Sequence, residues 1–175
     1  MMSLAEHAHQ HPFRHAVGLC LFAALFAANR RVKSSGIFIL ALWNLTGVML
    51  HEAAHLAAGI LFRARPTAVS LIPRRDGNRW QLGSVRFARI TAVNALPIAL
   101  APLALAGIAW LTAMNWFHWA PPTLASTLGL YATLFVLLYN ALPSRQDLRV
   151  AANWQCLLLY LPILIIAVIC LYRSH

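Results

Sequence analysis

Acidic residues are nearly missing from this chain, which sets four Asp or Glu against fourteen Lys or Arg over 175 residues. Charged residues of both signs make up 10% of it, far below the roughly 25% that a water-soluble domain carries. With 61% hydrophobic residues, that shortage excludes an ordinary water-soluble domain and makes a lipid bilayer the expected solvent. Cysteine is scarce as well. Cys20, Cys156 and Cys170 lie in apolar stretches and none belongs to a C-x-x-C pair, which excludes a disulfide framework and a cysteine zinc set. The formal charge of +10 comes from basic residues that fall mostly between apolar runs. That is how membrane proteins anchor their cytoplasmic loops, so the charge reads as topology and no nucleic-acid partner is expected.

The length suits one domain, here a single integral membrane domain over 1–175. Five apolar stretches serve as candidate spans: 14–29, 36–62, 90–117, 123–142 and 151–172. The expected fold class is an all-α polytopic membrane protein of about five transmembrane helices. The first stretch is short, and a signal peptide is its alternative. Its Leu25-Phe26-Ala27-Ala28 end is a poor cleavage site and its flank is His-rich rather than basic, so a retained span is expected. Pro121-Pro122 ends the third stretch and sets a tight connection to the fourth.

One sizeable polar stretch, 63–89, separates the second and third spans. Within it 68–72 and 80–87 surround Asp76-Gly77, which predicts a small β-hairpin at the membrane surface; a basic interfacial loop is the plainer alternative. Five alternating spans put Arg14, the seven arginines from Arg63 to Arg89, Arg145 and Arg149 on one side. Arg30, Arg31, Lys33 and Arg173 fall on the other. The positive-inside rule then makes the amino terminus and the hairpin loop cytoplasmic, in a cell inner membrane.

Against this background two acids stand out. Glu52 lies deep in the second apolar stretch, and Asp147 just past the fourth. A carboxylate at bilayer depth costs about 2.5–3.5 kcal/mol and marks a functional site by default. Glu52 sits in His51-Glu52-Ala53-Ala54-His55, an H-E-x-x-H sequence. On a helix both imidazoles share one face one turn apart, which suits two zinc ligands with a glutamate beside them as general base. The plain alternative is a pair of buried histidines with Glu52 as their hydrogen-bond partner. A catalytic zinc takes three protein ligands, and Asp147 is the best candidate for the third.

His51-Glu52-Ala53-Ala54-His55 in a transmembrane stretch, followed by Asn140-Ala141-Leu142-Pro143 and Asp147, resembles the site-2 protease family of intramembrane zinc metalloproteases. The resemblance covers roughly 36–149 and implies one Zn²⁺ per chain held by His51, His55 and Asp147. It also implies Glu52 as the catalytic base and membrane-protein substrate helices as partners. Asn140 is the candidate donor to a developing oxyanion, with an interhelical polar contact as its alternative. The hairpin looks like the membrane-associated hairpin of that family, and Ala101-Pro102 stands where many members have Gly-Pro. Asp147 departs from the pattern: it lies one residue closer to Asn140 and precedes Leu148 instead of Gly. At this length the chain looks like a minimal, divergent member without a PDZ domain.

The expected activity is therefore zinc-dependent endopeptidase cleavage of peptide bonds in or near transmembrane segments. A non-catalytic zinc-binding membrane adaptor is the alternative, and a metal-ion carrier a lesser one. Glu52 argues against the adaptor, and the shortage of other ionisable residues at depth argues against a transport path. His7, His9, His11 and His15 read as a mobile polar tail, with weak metal binding as the lesser alternative.

Overall fold

A computed structural model describes residues 4–32, 37–76 and 79–173. Two helices open the chain, α1 (Leu4–Gln10) and α2 (Pro12–Val32), followed by α3 (Ile37–Leu61). The polar stretch then forms four short strands, β1 (Pro66–Ser70), β2 (Arg74–Asp76), β3 (Arg79–Gln81) and β4 (Ser84–Phe87). Helices follow to the end: α4 (Ala92–Ala99), a 3-10 turn (Ala101–Leu103), α5 (Ala104–Trp119), α6 (Leu124–Asn140), α7 (Arg145–Ala151) and α8 (Trp154–Arg173).

The expected hairpin is present. β1 pairs antiparallel with β4, and β2 with β3 further out on the same hairpin. Of the expected Asp76-Gly77 turn, Gly77 lies outside the described residues. Arg63 and Arg65 both have positive φ, 54° and 55°. Arg63 sits where helices favour glycine, and the Ala64 N–H closes back on the Gly59 carbonyl at 2.8 Å, so α3 ends in a left-handed cap that turns the chain into β1.

Among the described residues three helical segments are long and apolar enough to cross a membrane: Pro12–Val32, Ala92–Trp119 and Trp154–Arg173. The α6–α7 pair, bent by 48°, raises the number to four if it counts as one span. α3 is also long, at 25 residues. The core is small and lies next to His51. Leu105 and Ala109 of α5 meet Leu137 and Ala141 at the end of α6, with Leu50 of α3 packed on them. α5 and α6 are therefore antiparallel, and the small alanines let them approach closely.

α2 runs parallel to α6. Phe22 meets Phe135 and Phe26 meets Tyr139, at ring-centroid distances of 5.6 and 6.4 Å. Earlier in the same register Gly18 lies so close to the Tyr131 ring that a Cβ has no room. At the start of α2, Arg14 donates to the Pro122 carbonyl. The amino terminus thus sits by the α5–α6 turn, while the hairpin packs near the far end of α6, with Phe87 against Gly59 and Gly83 against Glu52. This differs from the expectation that the amino terminus and the hairpin loop share the cytoplasmic side. Counting charge over five alternating spans assumes that α2 and α6 are antiparallel, and their side-chain register sets them parallel.

The amino-terminal histidines are also corrected, from a mobile tail to a docked helix. His7 is fully buried and stacks on Phe117 of α5 at 3.8 Å. Its Nδ1 shares a hydrogen bond of 2.8 Å with His15 Nε2, and His15 Nδ1 lies 3.1 Å from the Tyr131 hydroxyl. Burial pushes His7 below the ordinary imidazole value of 6.5, and the charges of His15, His11 and Arg14 push the same way. The fold therefore favours neutral His7. Its contribution is complete above the ordinary value and is lost as pH falls through the lowered one. Acidification from about pH 8 to about pH 5 is expected to weaken the docking of α1 on α5, read as lower amide protection in α1 relative to the intrinsic exchange rate at each pH. Protection that does not fall over that range would refute it.

Candidate metal centre

His51, Glu52 and His55 lie in the second half of α3, and their spacing sets both imidazoles on one helix face. The two Nε2 atoms lie 3.2 Å apart. Asp147, from α7, reaches both rings: Oδ2 is 3.4 Å from His51 Nε2 and Oδ1 is 3.2 Å from His55 Nε2. The ligand atoms of these three side chains all lie within 4.8 Å of one another, a group able to hold a metal ion.

The far ring nitrogens settle which atoms are protonated. His51 Nδ1 donates to the Asn140 carbonyl and His55 Nδ1 to the Ile98 carbonyl, each at 2.8 Å. A carbonyl only accepts, so each neutral ring carries its proton on Nδ1 and turns the Nε2 lone pair inward. With both rings neutral, two nitrogen lone pairs and a carboxylate converge. Such a set is relieved by a positive charge between its members, either a metal ion or a proton on an imidazole.

Both orienting carbonyls lack the usual helical donor from four residues later because prolines interrupt their helices. Within an unbroken helix the Ile98 carbonyl would accept from the residue four later. That residue is Pro102, which has no N–H. The nearby Leu100 N–H reaches the Ile98 carbonyl from the helix end, and His55 supplies the second donor. At the end of α6 the residue four after Asn140, Ser144, keeps its N–H, but the break at Pro143 turns that N–H to Asp147, and the Asn140 carbonyl turns to His51.

Asp147 owes its position to that break. It is the third residue of α7, and its Oδ2 accepts the Ser144 N–H at 2.6 Å, while the Ser144 hydroxyl accepts the Asp147 N–H at 3.2 Å. Asn140 lines the same cavity. Its side-chain amide donates to the Val136 carbonyl at 2.8 Å and lies flush against Gly47. One of its two amide N–H groups is thus occupied within α6.

Glu52 is buried, 8% exposed, and lies outside the ligand group. The link between β3 and β4 covers it. A Cβ on Gly83 would come within 2.8 Å of Glu52 Cγ and Oε1, and within 2.7 Å of Val48. An open cavity of about 1220 Å³ reaches the group from between β4 and α7.

The structure thus brings His51, His55 and Asp147 together, with Glu52 and Asn140 beside them. Sequence reasoning missed Ile98, Ser144 and Gly83. Three signals were available: Pro102 four residues after Ile98, the Ser144-x-x-Asp147 cap spacing, and a glycine beside a strand. No family model, no curated protein and no solved structure matches the chain.

Proposed function

We propose that this protein is a zinc-dependent endopeptidase that hydrolyses peptide bonds in or near the transmembrane segments of other membrane proteins. The observation that carries the reading is the inward-facing His51–His55–Asp147 group with an unliganded, buried carboxylate, Glu52, next to it. Atoms bound to one zinc at about 2.0–2.1 Å and tetrahedral angles lie about 3.3–3.4 Å apart. The Nε2–Nε2 separation of 3.2 Å is close to that figure, Asp147 meets the two rings with different oxygens, and with one atom counted per residue the group lies within 4.8 Å; two nitrogens with one oxygen form a familiar zinc donor set.

When bound, zinc supplies Lewis acidity and makes water acidic enough to ionise near neutral pH. The chain's own groups do the rest. Glu52 takes a proton from the attacking water as its oxygen bonds to the scissile carbonyl carbon. The C–N bond then breaks and Glu52 passes the proton to the departing nitrogen, leaving an amine and a carboxylic acid whose remaining proton moves to the amine, giving ammonium and carboxylate. The second amide N–H of Asn140 is the donor for the developing oxyanion. Residues 82–87 line the cavity as a continuous stretch of backbone, and a locally unwound substrate adds to that edge as a strand.

The bilayer as solvent is supported by α8, whose Leu158, Leu161, Ile163, Ile165, Ile166 and Ile169 are all exposed. A helix apolar on every side and left uncovered needs lipid around it. The parallel α2–α6 pair sharpens the charge bias. The end of α6 that holds the metal group also receives Arg30, Arg31, the hairpin arginines, Arg145 and Arg149. α8 starts at the same end, where Cys156 and Tyr160 bond to the carbonyls of Ala92 and Val93. With α8 crossing, every Arg among the described residues except Arg14 and Arg173 flanks that end, which is the cytoplasmic one by the positive-inside rule.

The test joins metal analysis to reconstitution. Protein purified in detergent without chelator should hold about one zinc per chain. In vesicles it should cut single-span polypeptides that carry helix-breaking residues within the span. Cleavage should stop with a chelator and return with zinc, with fragments mapped by mass spectrometry. Protein that holds no zinc, or that holds zinc and leaves the whole panel intact, would sink the proposal.

A further inference from the structure

His51 and His55 are held on one helix, so their relative position is fixed by α3 alone. Asp147 comes from the other side of the cavity, and its carboxylate must touch both rings with different oxygens. A short, partly buried aspartate at the start of a seven-residue helix needs a bonded neighbour to set the direction of its carboxylate. What holds it is Ser144.

In an uninterrupted helix the Ser144 N–H would bond to the Asn140 carbonyl. The break at Pro143 splits that pair, and both halves are reused at the metal group. The carbonyl half accepts from His51 Nδ1 at 2.8 Å. The N–H half donates to Asp147 Oδ2 at 2.6 Å, the same oxygen that lies 3.4 Å from His51 Nε2. The Ser144 hydroxyl closes the reciprocal bond to the Asp147 N–H, so the backbone and side chain of Asp147 are fixed together.

Resting on the metal-site reading above, we propose that Ser144 is the positioning residue for the third ligand, and that its backbone N–H sets which way the Asp147 carboxylate faces. The hydroxyl supports the helix start, and the N–H supports the ligand. These two roles separate by substitution, because Ser144 has φ −69° and ψ 165°, a conformation that proline adopts without strain. Ser144→Ala removes the hydroxyl and keeps the N–H. Ser144→Pro removes both and keeps the backbone path. Ser144→Thr keeps both.

The measurement is zinc affinity of the full chain in detergent, by competition with a chromophoric chelator, beside zinc content of the wild type. A group that orients a metal ligand is worth about 10- to 100-fold in affinity. Ser144→Pro should lose that much, Ser144→Ala should lose several-fold, and Ser144→Thr should bind as the wild type does. Equal losses in Ser144→Ala and Ser144→Pro would reduce Ser144 to a helix cap and overturn the proposal, as would wild-type affinity in both. If Ser144→Pro does not fold, amide exchange at Ser144 decides: an N–H bonded to Asp147 is protected in the wild type and loses that protection in Asp147→Ala, and an unprotected Ser144 N–H in the wild type overturns the proposal. Wild-type protein without zinc overturns the metal reading itself, whereas zinc-bound wild type with insensitive variants overturns only the role of Ser144.

Discussion

Glu52→Gln protein should keep its zinc and hydrolyse peptide bonds about 10²- to 10⁴-fold more slowly than the wild type, the range for losing a general acid–base group. Glutamine has the shape of glutamate, so the tight contact of Gly83 with Glu52 Cγ and Oε1 is kept and no cavity opens. The ligand atoms of His51, His55 and Asp147 are untouched, because Glu52 stands outside their group. The substitution removes a proton acceptor and little else. Fragment yield per zinc-loaded chain is the measurement. Undiminished cleavage would remove Glu52 from the chemistry. Loss of zinc would make Glu52 part of the metal's hold and favour a structural site.

Asp147→Ala should lose zinc almost completely on dialysis against a mild chelator. Whole zinc sites hold their metal by about 10–16 kcal/mol, so one ligand of three or four accounts for roughly 3–5 kcal/mol, a factor of about 10² to 10⁴. The variant also leaves the two Nε2 atoms 3.2 Å apart with no anion to offset the bound cation. Asp147→Asn separates ligand from cap, because its side-chain oxygen still accepts the Ser144 N–H while the negative charge is gone. Zinc content should follow the charge and fall in both variants. Full zinc in Asp147→Ala would mean that another group supplies the third bond.

The four-residue spacing of His51 and His55 was enough to predict a shared helix face, because helix geometry alone fixes it. Asp147 was reachable by elimination, since so few acids are available. The hairpin followed from turn residues between apolar strands, and the helix bounds Ile37–Leu61 and Trp154–Arg173 fall close to the expected 36–62 and 151–172. Side-chain pattern carried each of these. The carbonyls of Ile98 and Asn140 were not legible, since a backbone acceptor leaves no mark of its own and shows only through the proline that deprives it of a donor. His7 was missed for a different reason. A polar tract next to a chain end reads as solvated, and only the ring of Phe117 from a distant helix makes a dry place for it. The parallel α2–α6 pairing depends on interhelical register, which no single-helix pattern encodes.

The two orienting bonds span wide stretches of chain: 43 residues separate His55 from Ile98, and 89 separate His51 from Asn140. Closing loops of that size is slow and comes after local helices have formed. Neither imidazole is turned inward until α4 and the end of α6 have docked on α3, so a half-assembled chain carries the H-E-x-x-H sequence without the site. On the proposed metal reading, tight metal uptake would then wait until these distant segments have docked.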